Sequence, residues 1–180
     1  QGIMMKVSLK RVVYTLLLIT LSIMTVDAKI ISYSVPEGES LSMDYVVEVD
    51  GISVPVYMAQ TQHHDKKYSI AYFDFSGTVT VKIRSKLSLK KLNILPDRYD
   101  IQPSVSEDVA TFQLDKPCDI SFEPDGCNSP LLLFTNEIEK DIPSKDNPNV
   151  IYFGPGEHNP ENGLIKLSSN QTLYLAGGAI

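Results

Sequence analysis

The side chains with the most potential chemistry in this sequence are three His, two Cys and two close pairs of Glu. His63, His64 and Asp65 form the densest group of potential metal ligands. Adjacent residues of an extended chain point to opposite faces, so both imidazoles rarely reach one ion. No third His or Cys lies at the spacing of a zinc site. We therefore interpret this segment as the solvated tip of a hairpin, and we predict no metal and no cofactor.

The two cysteines, Cys118 and Cys127, flank a predicted hairpin over 119–126. Two cysteines are too few for a disulfide scaffold. In an exported protein we expect them to form one disulfide that closes this loop, contributing about 2–3 kcal/mol. The alternative is two free, buried thiols. Neither cysteine has a His neighbour in sequence that would indicate a nucleophile.

The charged residues predict no catalytic site. The Glu37/Glu39 and Glu137/Glu139 pairs could act as acid and base, but both lie beside predicted loops, where solvated surface carboxylates are the simpler interpretation. The basic residues between positions 82 and 91 fit the solvated face of a strand. A formal charge of -6 and a pI near 5.0 argue against a nucleic-acid partner. We therefore assign no catalytic residue.

Two further motifs lie near the end of the chain. Gly154-Pro155-Gly156 is interpreted as a backbone turn, because no Lys-Ser/Thr partner and no helix of a phosphate-binding loop follow it. Asn170-Gln171-Thr172 is an N-glycosylation sequon, which matters in a eukaryotic secretory host.

Residues 1–28 have the pattern of a secretory signal peptide. Lys6, Lys10 and Arg11 precede an uncharged, largely apolar run over 12–26, and Ala28 follows as a small residue at the expected cleavage site. The run has 15 residues, whereas a membrane-spanning helix needs roughly 20. We predict cleavage after Ala28, a secreted, extracellular or periplasmic protein, and no stable membrane insertion afterwards. An uncleaved membrane anchor is the alternative, and residues 1–3 are interpreted as extraneous.

Residues 29–135 alternate between apolar and polar side chains with a period of two, which predicts an antiparallel β-sandwich. Asp50-Gly51 is expected to turn between strands at Tyr45–Val49 and Ile52–Tyr57. A bulge or turn is expected at Lys90-Lys91, because the apolar parity changes there. Glu123–Gly126 is expected to turn between two later strands. The remaining predicted strands are Ile30–Val35, Tyr68–Phe75, Thr78–Arg84, Thr111–Leu114, Asp119–Glu123 and Leu131–Thr135.

A polar segment over 136–149 holds two Pro and is predicted to be an exposed linker. Short strands are expected after it, at Val150–Phe153, Leu164–Leu167 and Thr172–Ala176. We expect residues 150–180 to be the beginning of a second domain, and the chain to be the front of a longer protein.

Several phrases together resemble the N-terminal part of secreted polysaccharide hydrolases related to glycoside hydrolase family 28, the polygalacturonases, and family 49, the dextranases. The more specific phrases are NVIYFGPGEH over 149–158 and SNQTLYLAGGA over 169–179. The less specific ones are YSVPEGESL over 33–41, DGISVPVY over 50–57 and FDFSGTVTV over 73–81.

The resemblance implies an accessory β-sandwich followed by a right-handed parallel β-helix, with residues 150–180 in its first rung. The active-site phrases of family 28 are Asn-Thr-Asp, Asp-Asp, His-Gly and Arg-Ile-Lys, and none occurs in this sequence. The resemblance therefore implies a full-length enzyme that hydrolyses a pectin-like or dextran-like polysaccharide with inversion, and a fragment that is inactive alone. Two alternatives stay open: a non-catalytic carbohydrate-binding sandwich, and a structural β-helix surface protein.

Overall fold

A computed structural model describes residues 28–60 and 67–179, and these ranges are all-β, with no α-helix within them. The predicted signal peptide up to residue 27 and the His63-His64-Asp65 segment lie outside the described residues. Within the described ranges, no helix is long and apolar enough to cross a membrane.

The strands of the described residues are short and follow one another closely. In chain order they are β1 (Lys29–Ser32), β2 (Ser40–Leu41), β3 (Tyr45–Val49), β4 (Ile52–Val54), β5 (Tyr57–Gln60), β6 (Lys67–Ser76), β7 (Val79–Ser85), β8 (Asn93–Leu95), β9 (Ser104–Ser106), β10 (Val109–Leu114), β11 (Ile120–Cys127), β12 (Leu131–Glu137), β13 (Val150–Phe153) and β14 (Thr172–Leu175).

Twelve of these strands form two sheets that share one core. The larger sheet has the order β2-β5-β6-β12-β11-β8, with β1 beside the second half of β6. The smaller sheet has the order β4-β3-β7-β10-β9. Their facing side chains belong to a single apolar cluster, with Phe73 and Phe122 from the larger sheet and Val81 and Ile83 from the smaller one. The strands from Lys29 to Glu137 therefore form a β-sandwich, whose last strand extends two residues into the predicted linker.

The alternating pattern positions these side chains. Val79, Val81 and Ile83 are fully buried on one face of β7, as the period of two predicts. Asp50 and Gly51 have φ of 47° and 84°, the left-handed values that a two-residue hairpin turn requires. β3 and β4 pair across this turn, so the predicted hairpin is confirmed.

Two predicted details of the sandwich are wrong. The predicted strand over 52–57 divides at Pro55, because β4 joins the smaller sheet and β5 the larger one; Pro55 lacks an N–H for strand pairing. The sandwich is also not wholly antiparallel, since β6 and β12 are parallel from the Ser69–Leu131 pair onward. The chain between these two strands contributes β7, β9 and β10 to the smaller sheet and β8 and β11 to the larger one, so no tight turn fixes their relative direction.

The parity change at Lys90-Lys91 is absorbed by a turn, as predicted. A single 3₁₀ turn spans Leu89–Lys91, and the Lys90 N–H donates to Oγ of Ser88 at its start. Leu89 is buried, and Leu92 packs against the core from beyond the turn. The sequence pattern did not predict the short strands β2, β8 and β9.

The predicted strand Leu164–Leu167 is absent, and both of its terminal leucines are more than half exposed. Gly163 precedes it with a left-handed φ of 65°, and the chain runs on without pairing to a strand. The apolar alternation there therefore marks exposed surface.

The predicted disulfide is also absent, because the hairpin it depends on does not form. β11 continues through Glu123 to Cys127, and its turn to β12 comes later than predicted. Cys118 lies beside Thr135, whereas Cys127 lies beyond the paired residues Phe122 and Leu131. The four steps along the chain from Cys118 to Phe122 alone span about 13 Å at the rise of a strand. A disulfide needs Cα atoms within about 7 Å, so both thiols are free, Cys118 buried and Cys127 exposed.

The two thiols should therefore react differently with an aromatic disulfide reagent. Cys127 is exposed, whereas burial raises the pKa of the Cys118 thiol and shields it. We expect the folded protein to release one equivalent of chromophore, which C127S abolishes and C118S retains. Denaturant should add the second thiol in the unsubstituted protein. Failure of both thiols to react in denaturant without reductant would instead demonstrate the disulfide.

Candidate functional site

Residues 150–179 form a small parallel unit next to the sandwich. Val150 of β13 pairs with Thr172 of β14, 22 positions later, and the two strands run parallel. Beyond them, Gly156 forms a parallel bridge with Ala179, and its N–H donates to the Gly178 carbonyl at 2.7 Å. Two strands in parallel need a long connection, which residues 154–171 supply.

Aromatic side chains pack along this unit. The rings of Tyr152 and Tyr174, which are paired in register, lie 4.9 Å apart between centroids. The ring of Phe153 lies 4.7 Å from that of His158, and Nε2 of His158 lies 2.6 Å from the Gly154 carbonyl oxygen. His158 thus closes the predicted turn at residues 154–156.

The unit meets the sandwich on the outer face of β6. Phe73 and Phe75 point into the core, so Tyr72 and Asp74 point the opposite way. An outward Asp on a strand is normally exposed, yet Asp74 is only 7% exposed. Asn136 lies beside it, because β12 pairs with β6 in this register. A carboxylate is therefore buried where the two parts of the chain meet.

Hydrogen bonds satisfy the Asp74 carboxylate. The hydroxyl of Tyr33 donates to Oδ2 at 2.5 Å, and Nδ2 of Asn136 donates to Oδ1 at 3.4 Å. Burial raises the pKa of Tyr33 well above its ordinary value, and the bond to Asp74 raises it further. Tyr33 therefore keeps its proton and remains a donor to Asp74 at any ordinary pH.

Tyr33 also stacks on Tyr72, with ring centroids 4.6 Å apart and planes within 4°. Burial raises the pKa of Tyr72 to about 12, and a hydrogen bond from the Gly178 backbone acts in the opposite direction. Tyr33, Tyr72, Asp74 and Asn136 thus form a continuous polar and aromatic surface, which we call the junction.

Glycines let the parallel unit approach the junction closely. A Cβ at Gly177 would overlap the ring and hydroxyl of Tyr33. Gly178 has a left-handed φ of 86°, and a Cβ there would lie 3.3 Å from Cδ1 of Tyr33. The AGGA phrase of the sequence therefore has a direct steric role, since side chains at these positions would separate the two parts of the chain.

A cavity of about 600 Å³ lies beside the junction. The segment predicted as a linker forms one wall, and it is tethered: the hydroxyl of Tyr174 donates to Oε2 of Glu139 at 2.5 Å. That bond raises the pKa of Tyr174 to about 12. The lining residues are Tyr72, Asp74, Asn136, Glu137, Ile138, Glu139, Lys140, Asp141, Leu175 and Gly177.

The junction holds residues in place, and its geometry shows no acid–base pair. Both carboxylate oxygens of Asp74 already accept hydrogen bonds, and Glu137 and Glu139 are exposed. Glu39 lies elsewhere, 3.7 Å from the Lys67 ammonium. Within the ranges that the structure describes, no group of three or more His, Cys, Asp or Glu is placed to hold a metal ion.

The predicted basic surface is solvated, as expected, but only Lys82 and Arg84 lie on a strand, since Lys90 and Lys91 belong to the 3₁₀ turn. Lys82 lies 3.4 Å from Glu48 and Arg84 lies 2.7 Å from Asp108, and these side chains are largely exposed.

The sequence prediction missed Asp74, the buried residue at the centre of the junction. The signal was available, since Asp74 stands between two core phenylalanines within an apolar strand.

The geometry defines a class of fold: an all-β sandwich joined by a partly buried polar junction to a parallel strand pair. No family model matches the chain, and no curated protein sequence matches it. Among solved structures it is similar to Dex49A from Penicillium minioluteum, with a TM-score of 0.57 and 17% identity over 82% of this chain. The chain covers 43% of the length of Dex49A. This likeness supports a fold like that of glycoside hydrolase family 49.

Replacing Gly177 by Ala should detach the parallel unit from the sandwich. The added Cβ cannot fit unless Tyr33 leaves its stack on Tyr72 and its bond to Asp74. We expect G177A to lower the free energy of unfolding by about 1–3 kcal/mol, the usual cost of overpacking. Limited proteolysis should then cut the 138–149 segment faster than in the unsubstituted protein.

The matched control is G154A, because a Cβ at Gly154 would lie 3.8 Å from Cε1 of Tyr152, an ordinary contact. It should leave the proteolysis rate unchanged. The double variant Y33A/G177A should cost less than the sum of its two single variants, since the clash needs both groups. Equal behaviour of G177A and G154A would contradict the steric role of Gly177.

Proposed function

We propose that this chain is the N-terminal, non-catalytic part of an exported glycoside hydrolase that acts on a dextran-like or polygalacturonan-like polysaccharide. The observation that carries the proposal is the fold, because the chain is similar in structure to Dex49A over 82% of its length. The resemblance of the 149–158 and 169–179 phrases to secreted polysaccharide hydrolases points the same way.

The strand pairing in the parallel unit supports the proposal that residues 150–180 begin a parallel β-helix. Each residue of β13 pairs with the residue 22 positions later, and the Gly156–Ala179 bridge continues the parallel direction beyond the strands. Leu167 and Leu175 are more than half exposed, which leaves apolar surface on this unit for further chain to cover. A second rung stacked on β14 would bury Leu175 and pair the free edge of the strand.

In the proposed enzyme, the chain's own contribution is positional. The junction fixes the first parallel pair against the larger sheet, so the sandwich would set the orientation of any rungs that follow. Catalysis would fall to carboxyl groups elsewhere: in an inverting hydrolase one acid protonates the glycosidic oxygen and a carboxylate activates water, roughly 6.5–9.5 Å apart. Asp74 has neither role, because it is buried and both of its carboxylate oxygens already accept hydrogen bonds.

Export follows in this proposal from the signal-peptide pattern of residues 1–28. A polysaccharide is too large to cross a membrane, so its hydrolase works outside the cell. The acidic composition suits a soluble exported protein and a neutral or weakly charged polymer, and not a nucleic acid.

The proposal is tested by comparing the purified 29–180 chain with the longer protein that contains it. The longer protein should release reducing ends from dextran or polygalacturonan, with the anomeric configuration inverted when products are followed by proton NMR. The 29–180 chain should release none, because it lacks the catalytic carboxylates. Hydrolysis by 29–180 alone would contradict the proposal.

A binding assay separates the carbohydrate-binding alternative. In affinity electrophoresis through gels that contain dextran or polygalacturonan, we expect the 29–135 sandwich and the 29–180 chain to migrate as they do without polysaccharide. Retardation of the 29–135 sandwich, together with an inactive longer protein, would favour a binding module.

A further inference from the structure

The sequon Asn170-Gln171-Thr172 lies on a well-formed turn immediately before β14. The Gln171 N–H donates to the Ser168 carbonyl at 3.2 Å, which closes a four-residue turn. Asn170 occupies its third position with φ of 64°, the left-handed value that a type II turn requires and that Asn tolerates. Oε1 of Gln171 accepts from the Ser168 N–H at 2.8 Å and fixes the turn further.

The two side chains that define the sequon are exposed to solvent, whereas hydrogen bonds hold their backbone in place. Asn170 and Thr172 are both exposed. The Thr172 N–H donates to the Asn149 carbonyl at 2.8 Å, so the backbone is anchored to the start of β13. Within residues 28–60 and 67–179, the carboxamide of Asn170 makes no hydrogen bond to another side chain or to the backbone.

We propose that Asn170 is the acceptor of an N-linked oligosaccharide. The inference rests on the proposed export and applies to a eukaryotic host, because the donor, a lipid-diphosphate-linked oligosaccharide, lies in the eukaryotic secretory pathway. Nδ2 of Asn170 forms a bond to C1 of the first sugar as the bond from C1 to the diphosphate oxygen breaks. The amide loses one proton and the lipid diphosphate leaves with the bonding electrons, so no oxidant or reductant is needed.

The position of the turn is compatible with the rest of the structure. Asn170 precedes β14, whereas the glycines that contact Tyr33 follow it. The strand between them, from Thr172 to Leu175, separates the two ends by about 10 Å. A glycan on Asn170 therefore projects from the end of the unit opposite the junction, and the contacts of Asp74 stay intact.

The acceptor is tested by expressing 29–180 in yeast behind a yeast secretion leader. We expect the secreted chain to gain electrophoretic mobility after peptide-N-glycosidase treatment, with Asn170 converted to Asp in its peptide mass spectrum. T172V removes only the sequon hydroxyl and should abolish the glycan, whereas T172S should retain it. A chain without a glycan at Asn170 overturns the proposal.

The matched control uses a second exposed turn. The substitution L164T completes an Asn-Gly-Thr sequon that begins at Asn162, where Leu164 is 59% exposed and Asn162 also has a left-handed φ. A glycan at Asn162 in this variant, with Asn170 unmodified, would show that the host glycosylates an exposed turn of this chain but does not glycosylate Asn170. That result would overturn the proposal. Expression with the chain's own residues 1–28 tests export separately, because retention in the cell contradicts export while the yeast-leader result still decides the acceptor.

Discussion

The buried carboxylate of Asp74 is the constraint on which the arrangement of this chain depends. A carboxyl group removed from water must be compensated by hydrogen-bond donors, and hydrogen bonds to charged groups contribute about 1.5–3 kcal/mol each. Tyr33 and Asn136 supply those donors from outside β6, one from the segment after β1 and one from β12. Three separate pieces of chain are thereby fixed at one point on the outer face of the larger sheet.

The same constraint explains the composition of the parallel unit where it meets the sandwich. Tyr33 donates to Asp74 with its ring stacked on Tyr72, and that ring occupies the space that a side chain at Gly177 would need. The Tyr174–Glu139 hydrogen bond holds the connecting segment against the unit on the other side of the cavity. Directional hydrogen bonds and close packing at the junction fix the orientation of the parallel unit on the sandwich. This suits the positional role proposed for the sandwich.

The sequence predicted what depends on local periodicity and turn chemistry. Val79, Val81 and Ile83 alternate strictly and are buried, and Asp50-Gly51 adopts the left-handed backbone that its residue types favour. The errors arise where long-range pairing decides. Pro55 marks a crossing between sheets, and β11 runs on to Cys127 although the residue types of Glu123–Gly126 favour a turn. The position of Asp74 between two core phenylalanines marks an outward carboxylate, but its partners Tyr33 and Asn136 are distant in sequence and could not be predicted.

Native-state hydrogen exchange of D74A tests the role of the junction most directly. With the carboxylate removed, amides of the parallel unit, such as Gly156, Thr172 and Ala176, should lose at least about tenfold in protection, equivalent to about 1.4 kcal/mol. Amides within the sandwich, such as Asp50 and Ser85, should keep theirs, and E48A, which breaks an exposed ion pair, should change neither group. Unchanged protection of the parallel unit in D74A, or an equal loss throughout the sandwich, would contradict the account.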